Sequence, residues 1–143
     1  MTTVTQTQSR FAVIHRTFDE ALVSLRSALQ AECIEVVREV PFHIVFHKSM
    51  GVSCRKYTVL VVWSQFEAWR AVLTEDNAGL LIPFNIVVRE NGGSTVIAID
   101  NWTGRRAAHE TLGISMMLHD TELRMRRVLA ACDSASCTSR VEN

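Results

Sequence analysis

A pair of apolar stretches joined by a glycine turn constrains the fold of this chain more than any other feature. The stretches are LLIPFNIVVRE (80–90) and STVIAID (94–100), and Asn91-Gly92-Gly93 separates them. Glycine tolerates the positive φ angles that tight hairpin turns require. The sequence therefore predicts two neighbouring antiparallel strands at this point, and with them an antiparallel sheet.

Strand and helix patterns alternate along the rest of the chain. RFAVIHR and CIEVVREV alternate apolar and polar residues, and the second segment is expected to set Ile34, Val36 and Val40 on one face, with Arg38 out of pattern. YTVLVVW (57–63) is a nearly continuous apolar run, which is typical of a central strand covered on both faces by helices or by a partner subunit. Apolar residues recur at helical spacing after the first strand, after YTVLVVW and near the end of the chain.

Two segments carry the capping-box pattern, in which a hydroxyl and a glutamate three residues later satisfy backbone N–H groups at a helix start. They are Thr17-Phe18-Asp19-Glu20 and Ser64-Gln65-Phe66-Glu67. The predicted order is β-α-β-(short α)-β-α-β-β-α. This order describes an α+β two-layer sandwich, an antiparallel sheet of about five strands backed by helices. We expect one domain over residues 10–131, flanked by flexible polar tails at 1–9 and 132–143.

Composition excludes several classes of protein. The chain has 143 residues and 48% hydrophobic residues, enough for a single sizeable core. Fifteen basic residues balance fifteen acidic ones, so we expect no nucleic-acid partner. The chain shows no secretory signal and no apolar run of about 18 residues, which predicts a soluble, cytoplasmic protein with no membrane partner. Its cysteines form no C-x-x-C pair, and we expect Cys33 and Cys54 to be small apolar core residues.

Two histidines lie four residues apart in FHIVFHKSM, which Pro41 precedes and Gly51 follows. In a helix His43 and His47 would share a face about 6 Å apart along the axis, whereas in a strand they would be about 13 Å apart. Pro41 and Gly51 suit the ends of a helix, although the β-branched and aromatic residues favour a strand. We expect a short helix whose histidines lie on the flank of an inward-packed stripe: Phe42, Val45, Phe46 and Met50.

A metal or haem site at these histidines would need further ligands. Zinc normally takes at least three ligands from the protein, and the segment lacks the glutamate of the catalytic H-E-x-x-H motif. His15, His109, His119 or a cysteine could supply the third ligand, but no local pattern predicts one. Metal or haem binding by His43 and His47 is therefore kept as the alternative function.

No motif of the chain assembles a catalytic group. It contains no Gly-rich phosphate loop and no nucleophile elbow. Three carboxylate pairs are assigned to helix ends, where caps and the helix dipole explain them: Asp19/Glu20, Glu75/Asp76 and Asp120/Glu122. We expect no catalytic residue and no cofactor, which favours a protein that is not an enzyme.

Three segments together, VLVVWSQFEAW, LLIPFNIVVRE and VIAIDN, resemble the family catalogued as domain of unknown function 302. The resemblance runs from about Phe11 to Leu129. Its most specific part is the segment from Pro83 to Val88 with the later Ala-Ile-Asp at 98–100. The resemblance implies a fold like that of the TATA-binding-protein class, with a curved antiparallel sheet backed by helices and usually a dimer. It concerns architecture and implies nothing about DNA.

Aromatic residues occupy two positions at which that family often has cysteine, Trp63 and Phe84. Thiol or metal chemistry based on those cysteines is therefore not expected in this chain. The two aromatics suit either plain packing or an apolar surface that faces a ligand. Asn85 and Asp100 interrupt or close apolar strands. Either Asn85 marks a strand bulge or a sheet edge and Asp100 starts a turn, or both residues line a small pocket near Trp63 and Phe84.

Taken together, the sequence predicts a non-enzymatic homodimer that binds a small, partly apolar ligand or a protein partner through its sheet. The candidate ligand-binding residues are Trp63, Phe84, Asn85 and Asp100, and no metal site is expected. Dimerisation is expected from the apolar strand 57–63, the three tryptophans and the family resemblance.

Overall fold

The structure, a computed structural model, describes residues 10–100 and 112–141, without the side chains of 112–113 and 134–141. The predicted order of elements and the α+β fold class are confirmed. The elements are β1 (Arg10–Ile14), α1 (Phe18–Ala31), β2 (Glu35–Pro41), α2 (Phe42–Met50), β3 (Tyr57–Trp63), α3 (Gln65–Thr74), a 3-10 turn (Ala78–Leu80), β4 (Phe84–Asn91), β5 (Ser94–Ile99) and α4 (Leu112–Val141).

All five strands form one antiparallel sheet in the order β1-β5-β4-β3-β2. The hairpin predicted between β4 and β5 is present, with Asn91 paired to Ser94 across a two-residue turn. Gly92 has a φ of 62°, the left-handed conformation for which glycine is suited. The hairpin therefore forms the centre of the sheet, with β1 and β2 as its edges.

One face of the sheet, the core face, carries the helices. Its strand residues cluster with the buried side chains of α1, α3 and α4. Its fully buried strand side chains include Ile14, Leu60, Ile86, Ile97 and Ile99. α1 is fixed at its start by the predicted capping box, since the Glu20 amide donates to Thr17 Oγ1 at 3.2 Å and the Thr17 amide to Glu20 Oε1 at 3.4 Å.

The opposite face, which we call the open face, is largely apolar, and within the described residues it receives none of the buried side chains of those helices, although its own Val96 is only 3% exposed. Its middle row crosses all five strands, and its members are Val40, Val59, Val87, Ala98 and Phe11. The row beside it contains Tyr57, Arg89, Val96 and Val13. The second face of an antiparallel sheet is usually polar when it is in contact with water, so an apolar second face suits packing against another layer of protein.

β2 corrects one expectation. The register of β2 against β3 shifts between Val36 and Arg38, which is a β-bulge at Val37. Because one extra residue reverses which side chains point to which face, Val36 lies on the core face and Val40 on the open face. The prediction that both valines share a face is therefore wrong, and the bulge explains why Arg38 breaks the sequence pattern.

The segment 42–50 forms a helix, as expected, and Gly51 closes it with a φ of 68°. The prediction that one stripe of this helix packs inwards is wrong, because α2 has no buried residue and both Val45 and Met50 are exposed. Phe42 stacks on Tyr57 at 5.1 Å between ring centroids, and His43 lies edge-on to Phe18 at 5.8 Å. α2 is thus held at its first turn, with one of the two histidines facing inward.

The cysteines are distributed differently from the expectation. Cys33 and Cys54 are both exposed, whereas Cys132 is buried in the core. Burial raises the pKa of the Cys132 thiol to about 11.

α4 continues from the core through residue 131, where the sequence places the end of the domain, to Val141. The predicted N-terminal tail, 1–9, lies outside the described residues.

Candidate binding surface on the open face

The candidate site lies at the end of the open face where β3 finishes. The third row of this face sets Arg38 opposite Val61, and Val61 opposite Asn85. Asp100 directly follows β5, so continuing the pairing of Ile86 with Ile99 brings Asp100 beside Asn85. A largely apolar face therefore ends in a group of polar residues, the arrangement found in sites for partly apolar ligands.

The predicted site residues divide between the two faces. Asn85 and Asp100 come together on the open face, where Asn85 is exposed and Asp100 half-buried. Trp63, half-buried, ends β3 at the same end of the sheet and packs against the margin of the core. Phe84 belongs to the core face and is 4% exposed, so packing accounts for its aromatic side chain. The candidate site therefore contains Trp63, Asn85 and Asp100.

Two polar partners of this site were not assigned from the sequence. Trp63 Nε1 donates to Glu35 Oε1 at 3.0 Å, which fixes the indole against β2. Arg38 is exposed and shares the row of Asn85. The sequence signal for Arg38 is its break in the alternation of β2, since a bulge re-aims the side chains that follow it.

His43 plays a structural part at the base of α2. The Tyr57 amide donates to His43 Nδ1 at 3.0 Å, which ties the helix to β3. His47, one turn later, is exposed. Within residues 10–100 and 112–141, no three His, Cys, Asp or Glu side chains group in a way that could hold a metal ion. The geometry of His43 thus accounts for the residue without a metal.

A groove of about 320 Å³ lies between α3 and α4. Ala71, Met116 and Met117 form its apolar lining, and Glu67 and Asp120 are among its polar residues. We define these residues, with Arg70 and Thr74, as the α3/α4 groove. A bound ligand could contact both apolar and charged groups here.

Glu67 is the residue of the groove whose role differs most from its sequence assignment. It was expected to complete a capping box with Ser64, but Ser64 makes no side-chain cap hydrogen bond. Instead Glu67 Oε1 lies 3.3 Å from Arg124 of α4, and Arg124 lies 3.1 Å from Asp120. Burial and a hydrogen bond shared with Asp120 raise the pKa of Glu67. The carboxyl groups of Glu67 and Asp120 therefore connect α3 to α4.

Two carboxyl groups, those of Glu67 and Asp120, line the groove. Among the described residues that line it there is no serine, cysteine or histidine. The Thr74 hydroxyl donates to the Arg70 carbonyl at 2.9 Å within its own helix. The contacts of both carboxyl groups with Arg124 give them a role in packing α3 against α4.

The sequence analysis assigned Asp120 and Glu122 to a helix end. The structure corrects this assignment, because both residues lie inside α4. Glu122 is only 3% exposed, and Arg10 approaches its Oε1 to 3.0 Å, with Arg126 at 3.6 Å. This carboxylate therefore joins β1 to α4, which is a structural role.

The fold and the site define a class: a two-layer α+β domain whose helices pack on one face of a five-stranded antiparallel sheet, with a largely apolar opposite face that carries no buried helix side chain of the described residues. The chain belongs to the family described as "Domain of unknown function DUF302", whose model matches residues 10–132. The resemblance drawn from the sequence is thereby confirmed.

A solved structure supports the fold. The crystal structure of an uncharacterized conserved DUF302 protein from Bacillus stearothermophilus is similar over 87% of this chain and 97% of that one, with a TM-score of 0.78 and 19% identity. At this identity the likeness establishes the α+β fold. No curated protein matches the chain. Among the helices of the described ranges, none has the length and apolar character needed to cross a membrane.

Proposed function

We propose that this protein is a homodimeric binding protein whose subunits pack through their open faces, with a small, partly apolar ligand held at the polar end of that surface. The observation that supports this proposal most is the middle row of the open face, which is apolar on all five strands. Four residues of this row are half-buried and Phe11 is exposed, and apolar surface that stays accessible in a patch marks interaction sites in soluble proteins. The role assigned is binding, and it needs no catalytic residue.

The size of the open face supports a second copy as its partner. Five strands spaced about 4.8 Å apart, with about six residues at 3.4 Å each, span roughly 24 Å by 20 Å. The projected area is roughly 480 Å², more than half of the roughly 800 Å² that each partner buries in a standard interface. Two such faces pack about 10 Å apart in sheet sandwiches.

The edges of the face suit a two-fold interface. Phe11 and Val13 on β1 are 64% and 37% exposed, and they extend the apolar surface to the edge strand. Arg38 and Asn85 lie at one end, where they would rim the buried part. An apolar centre with a polar rim, in which arginine is enriched, is the usual anatomy of protein interfaces.

The ligand site is proposed where the apolar centre meets this polar end. Asn85 and Asp100 offer amide and carboxylate groups, and Arg38 offers a guanidinium. Trp63 offers an aromatic surface whose orientation Glu35 fixes. A ligand with a flat apolar body and one anionic group would match Trp63 and Arg38.

The alternative function, metal or haem binding by His43 and His47, gains no specific support from the geometry. The Nδ1 atom of His43 is already engaged by the Tyr57 amide. Elemental analysis and an absorption spectrum of untagged protein test the alternative directly. Stoichiometric metal or a Soret band that His47→Ala removes would favour it over the proposed function.

Sedimentation velocity at low micromolar concentration tests the dimer. The variant Val87→Lys places a charge in the middle row, between Val59 and Ala98, and is expected to shift the protein from dimer to monomer. Val23→Lys, on the exposed surface of α1, is the matched control and should leave the mass unchanged. A wild-type monomer, or a Val87→Lys dimer of unchanged affinity, would refute this interface.

The fluorescent probe 8-anilinonaphthalene-1-sulfonate tests the ligand site, because it combines a flat apolar body with an anion. We expect Arg38→Gln and Trp63→Leu each to weaken its binding about tenfold, a loss of about 1.4 kcal/mol. Arg55→Gln, on an exposed loop, is the control. Equal affinity in the Arg38 and Arg55 variants would rule out the proposed ligand position.

A further inference from the structure

Helix α3 is inverted relative to an ordinary surface helix. Its buried residues are Ala68 and Ala71, while Phe66, Trp69 and Leu73 are 63%, 59% and 68% exposed. At about 100° per residue these three large side chains fall within about 60° of one another, on the side opposite the alanines. A surface helix normally turns such a stripe towards its own core. Here the stripe, which we call the α3 ridge, faces outwards.

The ridge is locally ordered by contacts among its own side chains. The rings of Phe66 and Trp69 lie 6.0 Å apart, and the Arg70 guanidinium lies 5.8 Å from the centre of the Phe66 ring. Val72 and Leu80 extend the apolar surface beside it, Leu80 with 79% exposure. Aromatic side chains and arginine are the types that dominate binding energy in protein interfaces.

The α3/α4 groove runs directly beside the ridge. Arg70 lines the groove and lies over Phe66 of the ridge, and Met116, which also lines the groove, is itself exposed. Methionine adapts its shape to incoming side chains, and Ala71 leaves room for them. Each molecule therefore carries a protruding apolar stripe and an adjacent groove that can receive one.

We infer that the α3 ridge is a second self-association surface, on which α3 of one copy packs antiparallel to α3 of another, each ridge seated in the other's groove. A two-fold interface uses the same patch on both copies, so ridge and groove must lie side by side on one molecule. The spacing of Phe66, Trp69 and Leu73, three and then four residues, is also that of the seam in paired helices.

The area of the patch agrees with a weak contact between two copies. The two aromatic side chains offer roughly 250 Å² at their observed exposure, taking about 200 Å² for each when free. Val72, Leu73, Leu80 and Met116 add roughly 70 Å² each on the usual transfer scale. Two copies would then bury on the order of 1,000 Å², the lower limit for a specific interface.

The chemistry of the patch favours a second copy over a membrane or a charged partner. α3 has ten residues, and its single basic residue, Arg70, already lies over Phe66. Interfacial membrane helices carry several Lys or Arg on their polar face, whereas α3 has Glu67 there. The protein has a net charge of zero, so no long-range repulsion opposes its self-association.

A concentration series in sedimentation velocity tests the inference with four proteins: wild type, Leu73→Glu, Val87→Lys and the double variant. We expect Leu73→Glu to abolish the species that grows in at high concentration and to raise its dissociation constant at least tenfold. Val23→Glu, at an exposed apolar position of α1, is the control with the same charge change. Circular dichroism melting confirms that each variant folds.

The two surfaces give distinguishable outcomes. If Val87→Lys changes the mass and Leu73→Glu does not, the open face pairs and the α3 inference fails. If Leu73→Glu changes the mass and Val87→Lys does not, the α3 contact stands and the proposed open-face dimer fails. Binding of wild type, but not of Leu73→Glu, to zwitterionic phosphatidylcholine vesicles at an unchanged protein mass would assign the ridge to lipid and overturn the inference.

Cross-linking tests the antiparallel register. In a background with Cys33, Cys54 and Cys137 changed to serine, a mixture of Phe66→Cys and Leu73→Cys proteins should form a disulfide-linked heterodimer under mild oxidation. Each single variant alone should cross-link several-fold less, because Phe66 lies opposite Leu73 of the other copy. Equal yields in the mixture and in the separate proteins would contradict the packing.

Discussion

Helices α1 and α3 begin from nearly the same sequence pattern and lie in opposite relations to the core. Each follows a hydroxyl residue, carries a phenylalanine in its first turn and has glutamate three residues after the cap. α1 buries large side chains such as Phe18 and Leu25, whereas α3 buries only Ala68 and Ala71. An amphipathic pattern thus shows that a helix has an apolar face to cover, but not which molecule covers it.

The position of each helix in the fold explains the difference. α1 lies across the sheet and contacts β2, β4 and β5 as well as α4, so its apolar face has a broad surface to cover. α3 packs mainly against α4 and the 3-10 turn. The small Ala68 and Ala71 let α3 lie close to the core margin, and its large side chains are left on the outside.

Truncation of one leucine in each helix should give the largest contrast. Leu25 is 0% exposed, so Leu25→Ala is expected to lower the free energy of unfolding by about 3 kcal/mol, through lost burial and a cavity. Leu73→Ala removes an outward side chain and should change it by less than about 0.5 kcal/mol in a dilute monomer. Urea unfolding at low concentration measures both. Equal losses would mean that α3 belongs to the folded core as fully as α1.

Local signals predicted most of the fold because its elements are defined by local chemistry. The turn at Gly92 sets the central hairpin, and the box between Thr17 and Glu20 starts α1, both as the sequence indicated. The errors arise where distant residues decide. The register shift at Val37 depends on how β2 pairs with β3. Glu67 contacts Arg124 of α4, which is remote in sequence, instead of completing the predicted capping box.

The candidate site was predictable in part for the same reason. Asn85 and Asp100 lie in paired strands whose register follows from the hairpin, so their proximity follows from sequence. Phe84 precedes Asn85 directly and must therefore face the other way. Arg38 joined the site only once the bulge was known. Their role in binding a ligand stays a prediction.

The caps of the two helices provide the next contrast. Thr17 Oγ1 accepts from the Glu20 amide, so Thr17→Ala should lower the free energy of unfolding by about 1 kcal/mol. Ser64 makes no such bond, and Ser64→Ala should cost less than about 0.5 kcal/mol. Urea unfolding of both variants checks the difference. A larger cost at Ser64 than at Thr17 would contradict the capping geometry.

The ends of the helices differ as well. α1 ends at Ala31, and Cys33 follows it with a φ of 58°. The Cys33 amide donates to the Gln30 carbonyl at 3.0 Å, and the Ile34 amide donates to the Leu29 carbonyl at 2.9 Å. A residue with a side chain is strained there, so Cys33→Gly should raise the free energy of unfolding by about 0.5 kcal/mol after the entropic cost of glycine. Cys33→Ala keeps a Cβ and should give no gain. If both variants behave alike in thermal unfolding, strain at residue 33 is not the cause.

The ion pairs that tie the two helices to their neighbours should respond to pH with opposite signs. Arg26 of α1 donates twice to Glu39, at 2.8 Å each, and these hydrogen bonds lower the pKa of Glu39. For a lowered carboxyl pKa, the stabilisation is present above the ordinary value of about 4.3 and is lost as the pH falls through the folded value. Glu39→Gln should therefore lower the free energy of unfolding near pH 7 and leave it unchanged near pH 3. The expected loss near pH 7 is only about 0.5 kcal/mol, because the pair is partly exposed.

Glu67 should show the reverse dependence with a smaller effect. Burial and the hydrogen bond shared with Asp120 raise its pKa, so its protonated form is favoured in the fold. The stabilisation is complete below about 4.3 and is lost as the pH rises through the folded value. Glu67→Gln, which resembles the protonated form, should match wild type near pH 3 and be slightly more stable near pH 7, by less than about 0.5 kcal/mol. Urea unfolding at both pH values measures it, and a loss of stability near pH 7 would show that the Arg124 contact outweighs the burial of Glu67.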